Sequence, residues 1–152
     1  MNMSSKHLSK LSLPGEEWKD LADFQGYAVS TYGRVYSYFR HCLLPMVQSN
    51  FRMVKGKKVY SAAGYYAVAL QQNKKPTHRF VHQLVARAFL DNDDPEVNTV
   101  VDHIDNDPFN NMASNLRWVA PRENIQAARN DETQKYTRWL RKHLAGHRKA
   151  KR

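Results

Sequence analysis

Val101-Asp102-His103-Ile104-Asp105-Asn106-Asp107, then Ser114-Asn115-Leu116-Arg117-Trp118-Val119, then Pro121-Arg122-Glu123-Asn124, is the stretch whose reading decides the fold. Thr99 to His103 reads as a short strand, a polar loop runs through Asn111, and Leu116 to Val119 reads as a second strand. Pro121 suits the first position of a helix and Glu123 its first turn, so a helix is expected from Pro121 to about Arg129. Strand, loop, strand and helix would then carry Asp102, His103, Asn115 and Asn124. A carboxylate and an amide carbonyl are hard oxygen donors, suited to Mg²⁺ or Mn²⁺ rather than zinc. A neutral imidazole can take a proton from water, provided an acceptor holds its other nitrogen. These groups meet the needs of phosphodiester hydrolysis: a base for water, a cation for the phosphate and leaving oxygen, and a frame to hold both.

Charge points the same way. The chain has 152 residues, 41% of them apolar, enough for one modest core with appendages. Its 24 Lys and Arg against 14 Asp and Glu leave a net charge of +10, which favours a polyanionic partner. From Arg129 to Arg152, nine basic residues oppose only Asp131 and Glu132, so this segment carries +7 of that total. Conversely, seven of the fourteen acidic residues fall between Asp91 and Asp107, a patch a phosphate would avoid without a cation in it. No apolar run approaches the roughly 18 residues a membrane-crossing helix needs, and Met1 to Lys10 lacks the apolar segment of a secretory signal. The single cysteine, Cys42, excludes an internal disulfide framework and a Cys-rich zinc site, consistent with a reducing compartment.

Four segments are expected: a flexible leader over 1–14, a β-rich module over 15–76, a core over 77–130 that carries the Asp102 to Asn124 set, and a basic helical tail over 131–152. Met1 to Pro14 is polar and aperiodic. Tyr27 to Ser30 and Arg34 to Phe39, separated by Gly33, read as an antiparallel meander, and Gly64 to Leu70 as a strand ending at Asn73-Lys74-Lys75-Pro76. Val81, Leu84, Val85, Ala88 and Phe89 form the apolar stripe of a helix from about Phe80 to Leu90. Tyr136, Leu140 and Leu144 allow another helix before Gly146.

The spaced set from Val101 to Asn124, with Asn110-Asn111 between its two halves, resembles the catalytic module of phage and intron-encoded HNH homing endonucleases. Phe80 to Phe89 resembles the helix that leads into that module. Glu17-Trp18-Lys19-Asp20, Gly26-Tyr27-Ala28-Val29-Ser30 and Gly33-Arg34-Val35-Tyr36-Ser37 resemble their N-terminal nuclease-associated modular motif, so the likeness spans about residues 16 to 130. It implies an α+β fold with a ββα-metal core, a β-rich N-terminal arm and a basic helical C-terminal tail. It further implies a metal-dependent DNA endonuclease in which Asp102 and Asn124 bind one Mg²⁺ or Mn²⁺ per active site, His103 activates water and Asn115 braces the loop. Products would carry a 5′-phosphate and a 3′-hydroxyl, and related phage enzymes often nick one strand. The expected partner is double-stranded DNA, with no membrane and no small-molecule cofactor. The protein is expected to be a monomer in the cytoplasm of the host cell, not secreted.

Several residues admit two readings. Arg34, Lys55, Lys57 and Lys58, interleaved with Tyr36, Tyr38 and Tyr60, suggest a β surface laid on DNA, or a plain solvated face. Arg117 and Arg122 could hold the scissile phosphate or pair with the acidic loop. Arg138, Arg141 and Lys142 belong to a nonspecific basic anchor. His78 and His82, four apart, lack further metal-ligand partners, which favours a structural His82. Ala120 ahead of Pro121 is a poor helix cap. The rival from another class is a catalytically inactive HNH-fold DNA-binding protein. A toxin or restriction-type nuclease is a third possibility, opposed by the upstream motif.

Overall fold

In a computed structural model, residues 3–54, 57–124 and 135 are described. The elements run α1 (Met3–Leu11), β1 (Trp18–Asp20), β2 (Tyr27–Ser30), β3 (Val35–Ser37), β4 (Cys42–Leu43), β5 (Val47–Val54), β6 (Lys57–Gln72), β7 (Lys75–Phe80), α2 (Val81–Phe89), β8 (Val100–His103) and β9 (Leu116–Val119). A single 3₁₀ turn, Ala113–Asn115, precedes β9. The strands form three sheets, ordered β1-β2-β3-β4, β5-β6-β7 and β8-β9. Residues 121–124 are helical.

Side chains alternate across a strand, so a strand buried at every position needs cover on both faces. β2 is such a strand. Tyr27 and Val29 enter the main core, while Ala28 packs with Tyr36 and Leu8 in a second cluster. Leu8 belongs to α1, so the expectation of a mobile leader over 1–14 is corrected: a helix supplies the second cover. The local sequence is polar, and tertiary contacts fix it. Ser12 Oγ donates to Leu8 O at 2.7 Å, Trp18 Nε1 donates to Ser12 Oγ at 3.0 Å, and Arg34 Nη2 donates to Leu11 O at 2.7 Å.

The second sheet is built on a long hairpin. Here β5 pairs antiparallel with β6, with a register shift between Ser49 and Phe51. β6 then turns into β7 through Asn73 and Lys74, both left-handed at φ 51° and 63°, the pattern of a type I′ two-residue hairpin. Pro76 lies in β7 opposite Gln71, and β7 is an edge strand, where a missing N–H costs no ladder bond on the open side. β7 runs straight into α2, whose bounds fall within a residue of those expected.

One core serves the expected N-terminal and nuclease modules. Leu21, Phe24, Tyr27, Val29 and Val35 pack with Val68 and Leu70 of β6, Val81, Leu84 and Val85 of α2, and Leu116 of β9. The expected boundary at 76/77 is therefore not a physical division: a strand and a shared core cross it. The chain does divide into two units, Met1–Asp93 with Val101–Trp118, and Asp94–Val100 with Val119–Arg152. No helix among the described residues is long and apolar enough to cross a membrane.

Candidate active site

β8 ends at His103, where the chain turns: Asn106 N–H donates to His103 O at 3.0 Å, with Asn106 itself left-handed at φ 61°. Strand alternation sends the neighbouring Asp102 and His103 into different surroundings. The Asp102 side chain is 12% exposed, and Arg117 of β9 donates to its Oδ2 through Nε at 2.9 Å and Nη2 at 2.8 Å. The His103 ring is buried among Tyr65, at 6.1 Å and stacked, and His82, at 5.2 Å and edge-on.

His103 Nε2 lies 3.0 Å from Asn111 Oδ1. A carbonyl oxygen can only accept, so Nε2 carries the hydrogen and Nδ1 the lone pair. The sequence marks Asn111 only as half of an Asn-Asn pair and assigns it no role. An asparagine in a polar loop looks like any turn residue, and its burial is the one mark that singles it out.

The loop between β8 and β9 is closed by Asn115 and Asp105. Asn115 Oδ1 accepts from Asp105 N–H at 3.1 Å, and its Nδ2 donates to Asp105 Oδ1 at 2.8 Å and to Asn110 O at 2.9 Å. Asn115 O also accepts from Ile104 N–H at 2.8 Å. Asp105 collects Asn110 Nδ2 and Asp107 N–H as well, and these hydrogen bonds, led by that from Asn110, hold its carboxyl below the usual carboxylate range. Asp105 is thus the staple of the loop, and Phe109 anchors the same loop by packing on Tyr66 at 4.9 Å.

His82 is buried, and its Nδ1 has no hydrogen-bond partner among the described residues. Burial, and secondly the charge of His103, push it down to about 3, so it sits as a neutral ring between Tyr65, Phe80 and His103. His78 is exposed on β7, and no cluster of three or more His, Cys, Asp or Glu forms among the described residues. The structural reading of His82 agrees with this placement.

The expected DNA-contacting residues are placed unevenly. Arg34 is turned inward: its Nε donates to Glu16 Oε1 at 2.7 Å, its Nη2 pairs with Glu16 Oε2, and its guanidinium lies 5.4 Å from the Trp18 ring centroid. The Glu16 carboxylate is fully buried, which would raise it, but Arg34 and the Leu13 N–H outweigh that and hold it low. Arg34 is therefore a structural cation, and Tyr36 is a core residue, 1% exposed. Tyr38 donates its hydroxyl to Asp20 Oδ1 at 2.7 Å. Lys57 is exposed at the start of β6, Lys58 follows it on the same strand, and Arg122 is exposed. Arg117 is half-exposed and engaged with Asp102. Asn124 lies in the other unit, where its N–H donates to Ala120 O at 3.2 Å. Arg138, Arg141 and Lys142 lie outside the described residues.

The arrangement offers an oriented imidazole, a carboxylate that already receives a cation, and a loop pinned from several sides. Comparison with known proteins matches residues 16–71 to the NUMOD4 motif and residues 79–126 to the HNH endonuclease family model. An uncharacterized HNH endonuclease of Acanthamoeba polyphaga mimivirus is 36% identical over 129 residues, covering 83% of this chain and 28% of that protein. The DNA endonuclease I-HmuI of Bacillus phage SP01 is 34% identical over 111 residues, covering 72% of this chain and 56% of that one. A solved structure described as DNA binding and cleavage by the HNH homing endonuclease I-HmuI superposes with a TM-score of 0.60 at 29% identity, over 82% of this chain and 66% of its own. The chain thus spans between about a quarter and just over half the length of these curated relatives.

Proposed function

The chain belongs to the HNH homing endonuclease family, and from that premise we propose that it is a metal-dependent endonuclease hydrolysing phosphodiester bonds in double-stranded DNA, with His103 as general base. The observation that carries this reading is the hydrogen bond from His103 Nε2 to Asn111, 3.0 Å long, on a histidine that follows Asp102 at the end of β8. With Nε2–H committed to a carbonyl, Nδ1 is the atom that takes the proton from the attacking water. Asn111 stops the ring from rotating, and Asn115 with Asp105 keeps the loop beneath it closed.

Asp102 and Asn124 are the residues assigned to a single Mg²⁺ or Mn²⁺. Their donors fit: both offer hard oxygen, and the two Arg117 bonds to the Asp102 carboxylate both fall on Oδ2 rather than on Oδ1. Such an ion, when bound, neutralises charge on the phosphate and on the leaving 3′ oxygen. Products carry a 5′-phosphate and a 3′-hydroxyl, and the enzyme nicks one strand. The protein works as a monomer in the cytoplasm that holds the DNA, and its net charge of +10 draws it to the duplex.

Supercoiled plasmid incubated with wild type or His103→Ala, in Mg²⁺, in Mn²⁺ or in EDTA, tests the reading. Relaxation by wild type in a divalent cation, absent in EDTA and in the variant, supports it. Retardation of the plasmid on a gel with no relaxation in either metal makes the protein a non-cutting DNA binder instead.

A further inference from the structure

The NUMOD4 region and the nuclease loop meet at the residue that holds His103. The turn between β2 and β3 is rigid for reasons of its own. Gly33 N–H donates to Ser30 O at 3.0 Å, and the buried Ser30 hydroxyl accepts from Tyr32 N–H at 3.2 Å and Arg34 N–H at 3.1 Å. Thr31 is tied back to Glu17 by two bonds, its N–H donating to Glu17 O at 2.9 Å and its Oγ1 accepting from Glu17 N–H at 3.1 Å.

This turn reaches the nuclease loop at two points. Thr31 O accepts from Ala113 N–H at 2.8 Å, two residues beyond Asn111. Gly33, at φ +78°, lies so close that a Cβ there would stand 2.9 Å from Asn111 Cβ and 3.1 Å from Asn111 O. Glycine is thus required twice, once for the left-handed backbone and once for the approach. Asn111 is 5% exposed, wedged between that backbone and the His103 ring it bonds.

We infer that the Thr31–Gly33 turn of the N-terminal sheet is a positioning device for His103: it presses Asn111 into place, and Asn111 fixes the orientation and tautomer of the imidazole. The N-terminal region then does more than contact DNA, because the geometry of the base depends on it. A turn that served DNA alone would have no need to pack its glycine on a buried asparagine 78 positions later in the chain. This inference rests on the reading of His103 as the base, and its test separates the two.

Four variants are compared: Asn111→Leu, which removes the acceptor while keeping a branched side chain of the same heavy-atom count; Asn111→Asp, which keeps it; Gly33→Ala; and Ala113→Pro. The last deletes the donor to Thr31 O at the first residue of the 3₁₀ turn, behind an extended Met112 (φ −64°, ψ 138°) that a following proline accepts. Gly26→Ala is the control for left-handed strain: its φ is +86°, and the nearest atoms its Cβ would meet belong to the exposed Phe39 ring. The readouts are the single-turnover cleavage rate on pre-bound DNA, the DNA affinity, and the ¹⁵N signature of the His103 tautomer. Asn111→Leu, Gly33→Ala and Ala113→Pro are expected to slow cleavage on the order of 10- to 100-fold, as for a misplaced catalytic group, with DNA affinity retained. They also lose the fixed Nε2–H tautomer, while Asn111→Asp restores both properties and Gly26→Ala changes neither. Should Gly33→Ala not fold, Ala113→Pro carries the same test from the nuclease side. Weaker DNA affinity with an unchanged rate on bound DNA, or a wild-type tautomer in both Gly33→Ala and Ala113→Pro, overturns the inference. If wild type never cuts, the tautomer comparison still decides the positioning role, and only the nuclease reading fails.

Discussion

Acidification from pH 7 to pH 5 is expected to cost this fold about 2 kcal/mol through one side chain, His82. Its folded pKa is pushed down to about 3 by burial and then by His103, whereas an unfolded histidine titrates at about 6.5. Between those values the unfolded chain binds a proton that the folded chain refuses. The stabilisation is therefore complete above about pH 6.5 and is lost as pH falls toward 3. At about 1.4 kcal/mol per unit, the 1.5 units from roughly 6.5 down to 5 give the figure above, and the full interval approaches 5 kcal/mol. Urea denaturation followed by circular dichroism at pH 7, 6 and 5, in wild type and His82→Phe, measures the effect. The phenylalanine keeps a ring beside Tyr65 and Phe80 but cannot titrate, so its stability should fall less steeply with acid. Identical pH slopes in the two proteins would refute the buried, neutral assignment.

Three further outcomes are expected from the packing and the charge distribution. Arg34→Met leaves the buried Glu16 carboxylate unpaired and is expected to cost about 3 kcal/mol in the same assay, with the salt slope of DNA binding unchanged; a flattened slope would return Arg34 to the DNA surface. Leu84→Ala removes a core side chain shared by both halves of the first unit and should cost about 2–5 kcal/mol, with far-UV and tryptophan signals still moving together; separate transitions would mean separate cores. Removing Gly146 to Arg152 deletes Arg148, Lys149, Lys151 and Arg152 and should weaken DNA binding and flatten its salt dependence, the slope falling by up to about 0.9 for each phosphate these residues neutralise; an unchanged slope takes the tail out of the interface.

The parts of the fold legible in the sequence are those with a strong period or a bounded run: β2, β3, β8, β9 and α2. What escaped depended on distant partners. The helix α1 is written in polar residues and is held by Leu8 against Tyr36, by the Leu11 carbonyl bonded to Arg34, and by Ser12 just beyond it bonded to Trp18. Arg34 reads as a free cation until Glu16, eighteen residues earlier, is found buried against it. The hairpin of β5 and β6 hides behind Pro45 and a lysine cluster that interrupt its alternation. In the site, Asp102, His103 and Asn115 stand out by spacing, while Asn111 does not, because its role comes from burial against Gly33 and not from its neighbours in the chain.

The central claim is that Asp102, His103 and Asn124 act on the scissile phosphate and not on DNA capture. Its most direct test is the single-turnover cutting of pre-bound duplex in Mg²⁺ by wild type and by Asp102→Ala, His103→Ala and Asn124→Ala, with DNA affinity measured alongside in EDTA. The account predicts that cutting falls by about 10²-fold or more in each variant while affinity holds. Parallel losses of cutting and affinity, or undiminished cutting by His103→Ala, would contradict it.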